Sequence, residues 1–103
     1  MTPVNYKSNL TVGSIYTASQ TELIVSNIAI TSNGGRGKTQ IVLLDQDDNE
    51  TVLAAASVHL FTNADTVIPV NSASALVKQG QRYKVTEDET SPSVEVKAYY
   101  EAI

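Results

Sequence analysis

Short runs of β-branched and aromatic residues recur along this chain, separated by clusters of Ser, Thr, Asn, Asp and Gly at roughly 8–12-residue intervals. Amphipathic helices need apolar positions at a 3.6 period over three turns or more, and these runs are too short for that. The rhythm is the one expected of an antiparallel sandwich or barrel.

Read in order, Leu10 to Thr17 predicts a first strand and Ala18-Ser19-Gln20-Thr21 a turn. Glu22 to Thr31 is the strongest strand pattern, with Ile24, Ile28 and Ile30 on one face at period two. Ser32-Asn33-Gly34-Gly35-Arg36-Gly37 predicts a flexible hairpin loop, because glycine accepts positive φ without steric cost. Thr39 to Leu44 follows as the return strand; Ile41-Val42-Leu43-Leu44 is apolar on both faces, as in a central strand of a two-layer core. Asp45 to Glu50 reads as a turn. Thr51 to Phe61 fits both helical and strand spacing, and its short length and Val58-His59-Leu60-Phe61 ending favour a strand. Thr66 to Val70 predicts a short strand, which Pro69 places at an edge or strand end. Lys78 to Gln81 is a turn before a strand from Arg82 to Glu87, with Tyr83 and Val85 inward. The last strand, Ser93 to about Ile103, alternates Val94, Val96, Ala98 and Tyr100 with Glu95, Lys97, Tyr99 and Glu101. The expectation is an all-β fold: a single antiparallel β-sandwich of seven or eight strands, jelly-roll or Ig-like, over residues 10–103, with residues 1–9 as an N-terminal arm.

Composition narrows the function. One core is what 103 residues support. Ser, Thr and Asn make up more than a quarter of the chain, and charged residues only 17%. The seven basic residues are scattered in a chain of net charge −4, so no run tracks a phosphate backbone and nucleic-acid binding is not expected. No stretch of ~18 apolar residues predicts a membrane span. The first residues lack the charged and apolar regions of a secretory leader, so synthesis in a cytosol is expected. With no cysteine there are no disulfides or thiolate metal sites, and oligomerisation is the expected alternative source of stability.

Apparent chemical motifs fail on physical grounds. Ser32 to Thr39 ends like a phosphate-binding loop, yet it leads into the β-pattern Gln40-Ile41-Val42-Leu43-Leu44, where the chemistry requires a helix N-terminus. Asp45, Asp47 and Asn49 match the first ligands of a calcium loop, but Glu50 stands at the glycine position and Ala56 at that of the bidentate Glu. Glu87-Asp88-Glu89 reads as a charged loop. His59 is the only histidine, and no nucleophile-elbow pattern accompanies it. The reading is a non-enzyme with no catalytic residues, cofactor or metal. Sugar binding is disfavoured by the lack of Trp, although Tyr99 is placed to face outward from its strand.

The stretch from Ile15 to Ile103 resembles small virion structural proteins of tailed bacteriophages. The resemblance lies in Ile15-Tyr16-Thr17-Ala18, Leu23 to Ile30, Ile41-Val42-Leu43-Leu44-Asp45, Thr66 to Val70, Leu76-Val77-Lys78-Gln79-Gly80-Gln81-Arg82-Tyr83-Lys84-Val85, and Val94 to Ala98. Ser19 stands where the family pattern has proline, and Gln81 where it has Asp. The resemblance implies a β-sandwich on a phage particle, made in the host cytoplasm and assembled symmetrically as a homo-oligomer. The favoured role is capsid decoration or cement, with the major capsid protein as partner; a tail or fibre accessory and a small carbohydrate-binding module are the alternatives. Exposure alone marks Pro3, Tyr6, Gly35, Arg36, Lys38 and Tyr99 as candidate partner contacts.

Overall fold

The computed structural model describes residues 7–30, 36–59, 70–89 and 94–102. Among these the elements are β1 (Lys7–Leu10), β2 (Tyr16–Thr17), β3 (Glu22–Ile30), β4 (Arg36–Leu44), β5 (Glu50–His59), β6 (Val70–Val77), β7 (Arg82–Glu89) and β8 (Val94–Ala102), with no helix. They form two four-stranded sheets, ordered β1-β8-β3-β6 and β2-β7-β4-β5.

The pairing pattern decides the topology. β1 pairs with β8, β2 with β7, β3 with β6 and β4 with β5, all antiparallel. The pairs are nested about the β4–β5 turn, so the chain behaves as one long hairpin rolled into two layers. The lateral contacts β3–β8 and β4–β7 stitch the roll together. This is a jelly roll, the first of the two sandwich types expected from the sequence.

The strands form where alternation feeds one face. Ile24 and Ile28 of β3, Ile41 of β4, Val77 of β6 and Tyr83 and Val85 of β7 are at most 1% exposed and meet between the layers. Each such aliphatic side chain contributes roughly 1.5–3 kcal/mol relative to exposure. β4 is central, flanked by β7 and β5, as its two-sided apolar pattern predicts. β5 is a strand, and it slips register against β4 between Ile41 and Val42, leaving Leu53 as the extra residue of a β-bulge.

Several expectations are corrected. The run Leu10–Thr17 is not one strand: it breaks after Leu10, and β1 and β2 lie in different sheets. Gly13, at φ 92°, turns the chain across, with its N–H donating to the Val85 carbonyl at 2.7 Å. Lys7, Ser8 and Asn9 belong to β1 rather than to an arm, because they pair with Glu101, Tyr100 and Tyr99.

The segment after β3 does not close a hairpin. β3 sits between β8 and β6 while β4 sits between β7 and β5, so the connection crosses from one layer to the other. Arg36 and Gly37 are already in β4; residues 31–35 lie outside the described residues. Glu87 and Asp88 are not in a loop: β7 continues through them, opposite Thr39 and Lys38.

The strand expected at Thr66–Val70 falls largely outside the described residues. Only Val70 is included, and it opens β6, an eight-residue strand absent from the sequence reading. At the far end of β6, Gly80 (φ 87°) donates to the Ala18 carbonyl at 2.8 Å in the turn that carries the chain into the second sheet.

Candidate functional site

The sequence-derived contact residues do not converge. Pro3, Tyr6 and Gly35 lie outside the described residues. Arg36 and Lys38 are exposed near the start of β4; alternation puts both on the outer face of the β2-β7-β4-β5 sheet, with Lys38 directly across from Asp88. Tyr99 is half-buried on the outer face of the other sheet, opposite Val25 and Asn9. The sandwich separates these groups.

Two of the polar clusters the structure brings together lie inside. Glu22 is 3% exposed at the start of β3, in phase with Ile24 and Ile28. Its Oε1 accepts from the Tyr83 hydroxyl at 3.2 Å, and its Oε2 from the Ser19 hydroxyl at 3.3 Å and the Ser19 N–H at 3.4 Å. A buried carboxylate is tolerable only with such donors around it. Burial raises the Tyr83 pKa well above the ordinary tyrosine value, and the adjacent Glu22 carboxylate adds to the effect.

Tyr16 pairs with Tyr83 across β2 and β7, their rings stacked with centroids 5.8 Å apart. The Thr11 N–H donates to the Tyr16 hydroxyl oxygen at 2.8 Å, which lowers the Tyr16 pKa. One stacked pair thus holds two phenols shifted in opposite directions. In an alkaline ultraviolet titration, Tyr16 is expected to ionise before Tyr83.

A second polar link crosses the layers at mid-core. Ser26 and Thr39 are fully buried, and their hydroxyl oxygens lie 2.7 Å apart. The Thr39 hydroxyl donates to the Thr86 carbonyl at 3.1 Å, so its single proton is committed and Ser26 is the donor between the two. β3 of one sheet is thereby bonded to β4 and β7 of the other. Ser26 and Thr39 hold inward positions next to Ile24, Ile28 and Ile41, and period-two counting from Ile24 and Ile41 locates them.

The acidic turn between β4 and β5 is closed on itself. Asp45 Oδ1 accepts from the N–H groups of Asn49 at 2.9 Å and Asp47 at 2.8 Å, and Oδ2 accepts from the Asn49 side-chain amide at 3.1 Å. These bonds, the Asn49 N–H foremost, lower the Asp45 pKa; Arg82 adds a smaller effect. Arg82 Nη2 donates to the Asp45 carbonyl at 2.5 Å and to Asp48 Oδ1 at 2.6 Å. Asp48 takes φ 62°, a conformation Asp accepts more readily than most residues. The resemblance to a calcium loop is a turn in which the Asp45 and Asp48 carboxylates already have donors.

Among the described residues, no buried side-chain nitrogen or oxygen lacks a hydrogen-bond partner, and no three acidic or histidine side chains group as metal ligands. The phosphate-loop reading fails on topology: β4 follows the glycines where a helix N-terminus would be needed. None of the described helices or strands is a helix long and apolar enough to cross a membrane. No protein-family model matches the chain, and no curated protein matches it either.

Proposed function

We propose that this protein is a non-enzymatic structural component of a tailed-phage virion, a decoration or cement protein bound to the capsid exterior. The observation that carries the reading is the rolled eight-strand topology, an architecture recurrent in viral coat domains, in a chain whose strand motifs resemble those of phage virion proteins. Fold alone does not imply function, and it is the conjunction of topology with the motif resemblance that supports this role.

In this role the domain acts by mass action. Binding only the assembled shell, it stabilises that state in proportion to its occupancy. The major capsid protein is the partner, and Arg36 and Lys38, facing outward from β4, are the proposed contacts among the described residues. Pro3, Tyr6 and Gly35 are proposed contacts on the sequence reading. The test is the thermal stability of particles with and without the protein. Particles lacking it should open at lower temperature and regain the original transition on re-addition. Identical melting would rule out the cement role.

A further inference from the structure

Exposed sheet edges invite pairing with other chains unless they are short, bulged, charged or covered. Three of the four edges here are finished in one of these ways. Among the described residues β1 has four residues and β2 has two. β5 is bulged at Leu53, and its Ser57 carbonyl accepts from Asn71 Nδ2 at 3.1 Å.

β6 differs from all three. Val70–Val77 contains no charged residue, proline or glycine, and it pairs with β3 through eight consecutive positions without a register break. Among the described residues no strand pairs with its other side. The Asn71–Ser57 bond ties one end to β5, and among the described residues no strand pairs with the outer side of Ala73 to Val77. At that open end Leu76 is 63% exposed, the most exposed large apolar side chain described, with Leu23 directly across on β3.

We propose that the Ala73–Val77 edge of β6 pairs antiparallel with the same segment of a second copy of this chain, across a two-fold axis. The occupant follows from charge. The chain carries −4, so two copies repel over most approaches, and a neutral tract is where they can meet. A partner recognised by its charge would find none on this edge. With the axis at Ala75 the five residues meet only one another, the arrangement isologous contacts require. Leu76 of each copy then lies on a continuous outer face against a neutral strand.

Five residues span about 17 Å, and a strand-edge contact of that length buries less than the roughly 1,600 Å² of a standard interface. The dimer is therefore concentration-dependent. This inference stands on the edge geometry and does not rest on the virion reading.

The test is analytical ultracentrifugation of the full chain from roughly 10 μM to 1 mM, beside Ser74→Lys and Thr51→Lys. Ser74 is an exposed residue of β6 and Thr51 an exposed residue of the bulged β5. The wild type should pass reversibly from monomer to dimer. Ser74→Lys should weaken association by about tenfold or more, because each new charge then stands opposite Leu76 of the other copy and diagonal to its like charge, and Thr51→Lys should not change it. Circular dichroism verifies the fold of each variant. Hydrogen exchange of the wild type supplies the second reading: the alternate amides within Ala73–Val77 that point away from β3 should gain protection as concentration rises. A wild type monomeric throughout, a dimer insensitive to Ser74→Lys, or protection gained elsewhere would each overturn the proposal.

Discussion

Val42 and Leu44 point outward from the β2-β7-β4-β5 sheet and are nonetheless 1% and 6% exposed, whereas Leu76, outward on the β1-β8-β3-β6 sheet, is 63% exposed. Charged side chains make the difference. Lys84 lies across from Val42, and Glu50 across from Leu44 on the other side of β4. Their 2.6 Å ion pair carries the aliphatic stem of Lys84 over β4. Arg82, also opposite Leu44, reaches into the Asp45–Asn49 turn. On this sheet the cover reaches β4, while Val52, outward on β5 and paired with Val42, is 51% exposed. On the other, Tyr99 lies beside Val25, but the cover stops before the β6 edge.

The strongest way to break this comparison is to truncate one leucine on each face. Leu44→Ala should cost about 2–4 kcal/mol, as for a core leucine, while Leu76→Ala should stay within about 0.5 kcal/mol. Urea unfolding of the isolated variants measures both. Equal losses would show that the ion pairs do not bury β4.

Smaller effects sharpen the nature of the cover. Lys84→Ala should cost about 1 kcal/mol, and Lys84→Met should recover more than half of it, because the stem shields Val42 while an exposed ion pair adds little. Full loss in Lys84→Met would instead assign the effect to charge, and added salt would then reproduce it.

The smallest expected effect is in acid. The folded-state pKa of Asp45 lies below its ordinary value of 3.8, so the stability it contributes is complete above that value and is lost as pH falls through the lower folded one. Asp45→Asn should therefore flatten the fall of Tm below about pH 4 and leave its slope near neutrality unchanged. A variant that melts in acid as the wild type does would remove Asp45 from the account of this turn.

The strand-rich class was legible because alternation is local. β3, β4, β7 and β8 each carry several inward apolar residues in phase, and the glycine-marked turn at Lys78–Gln81 stands where expected. β6 was missed because its inward positions are Ala73, Ala75 and Val77, too small to stand out between serines. The two misread connections share a cause. A loop that joins neighbours in one sheet and a loop that crosses between sheets use the same Gly and Asn chemistry, and only long-range pairing separates them. That explains why Ser32–Gly37 read as a hairpin and Leu10–Thr17 as one strand. Of the contact set, the sequence located exposed positions such as Arg36 and Lys38 but had no means of placing Tyr99 on the opposite face. The buried links of Glu22 with Tyr83 and of Ser26 with Thr39 join residues 61 and 13 positions apart, beyond what periodicity can connect.

The central claim is that this jelly roll coats a phage head. Counting its copies by quantitative mass spectrometry on purified particles, separated into heads and tails, tests that claim most directly. The account predicts hundreds of copies on heads and none on tails. A few copies confined to tails, or absence from particles altogether, would contradict it.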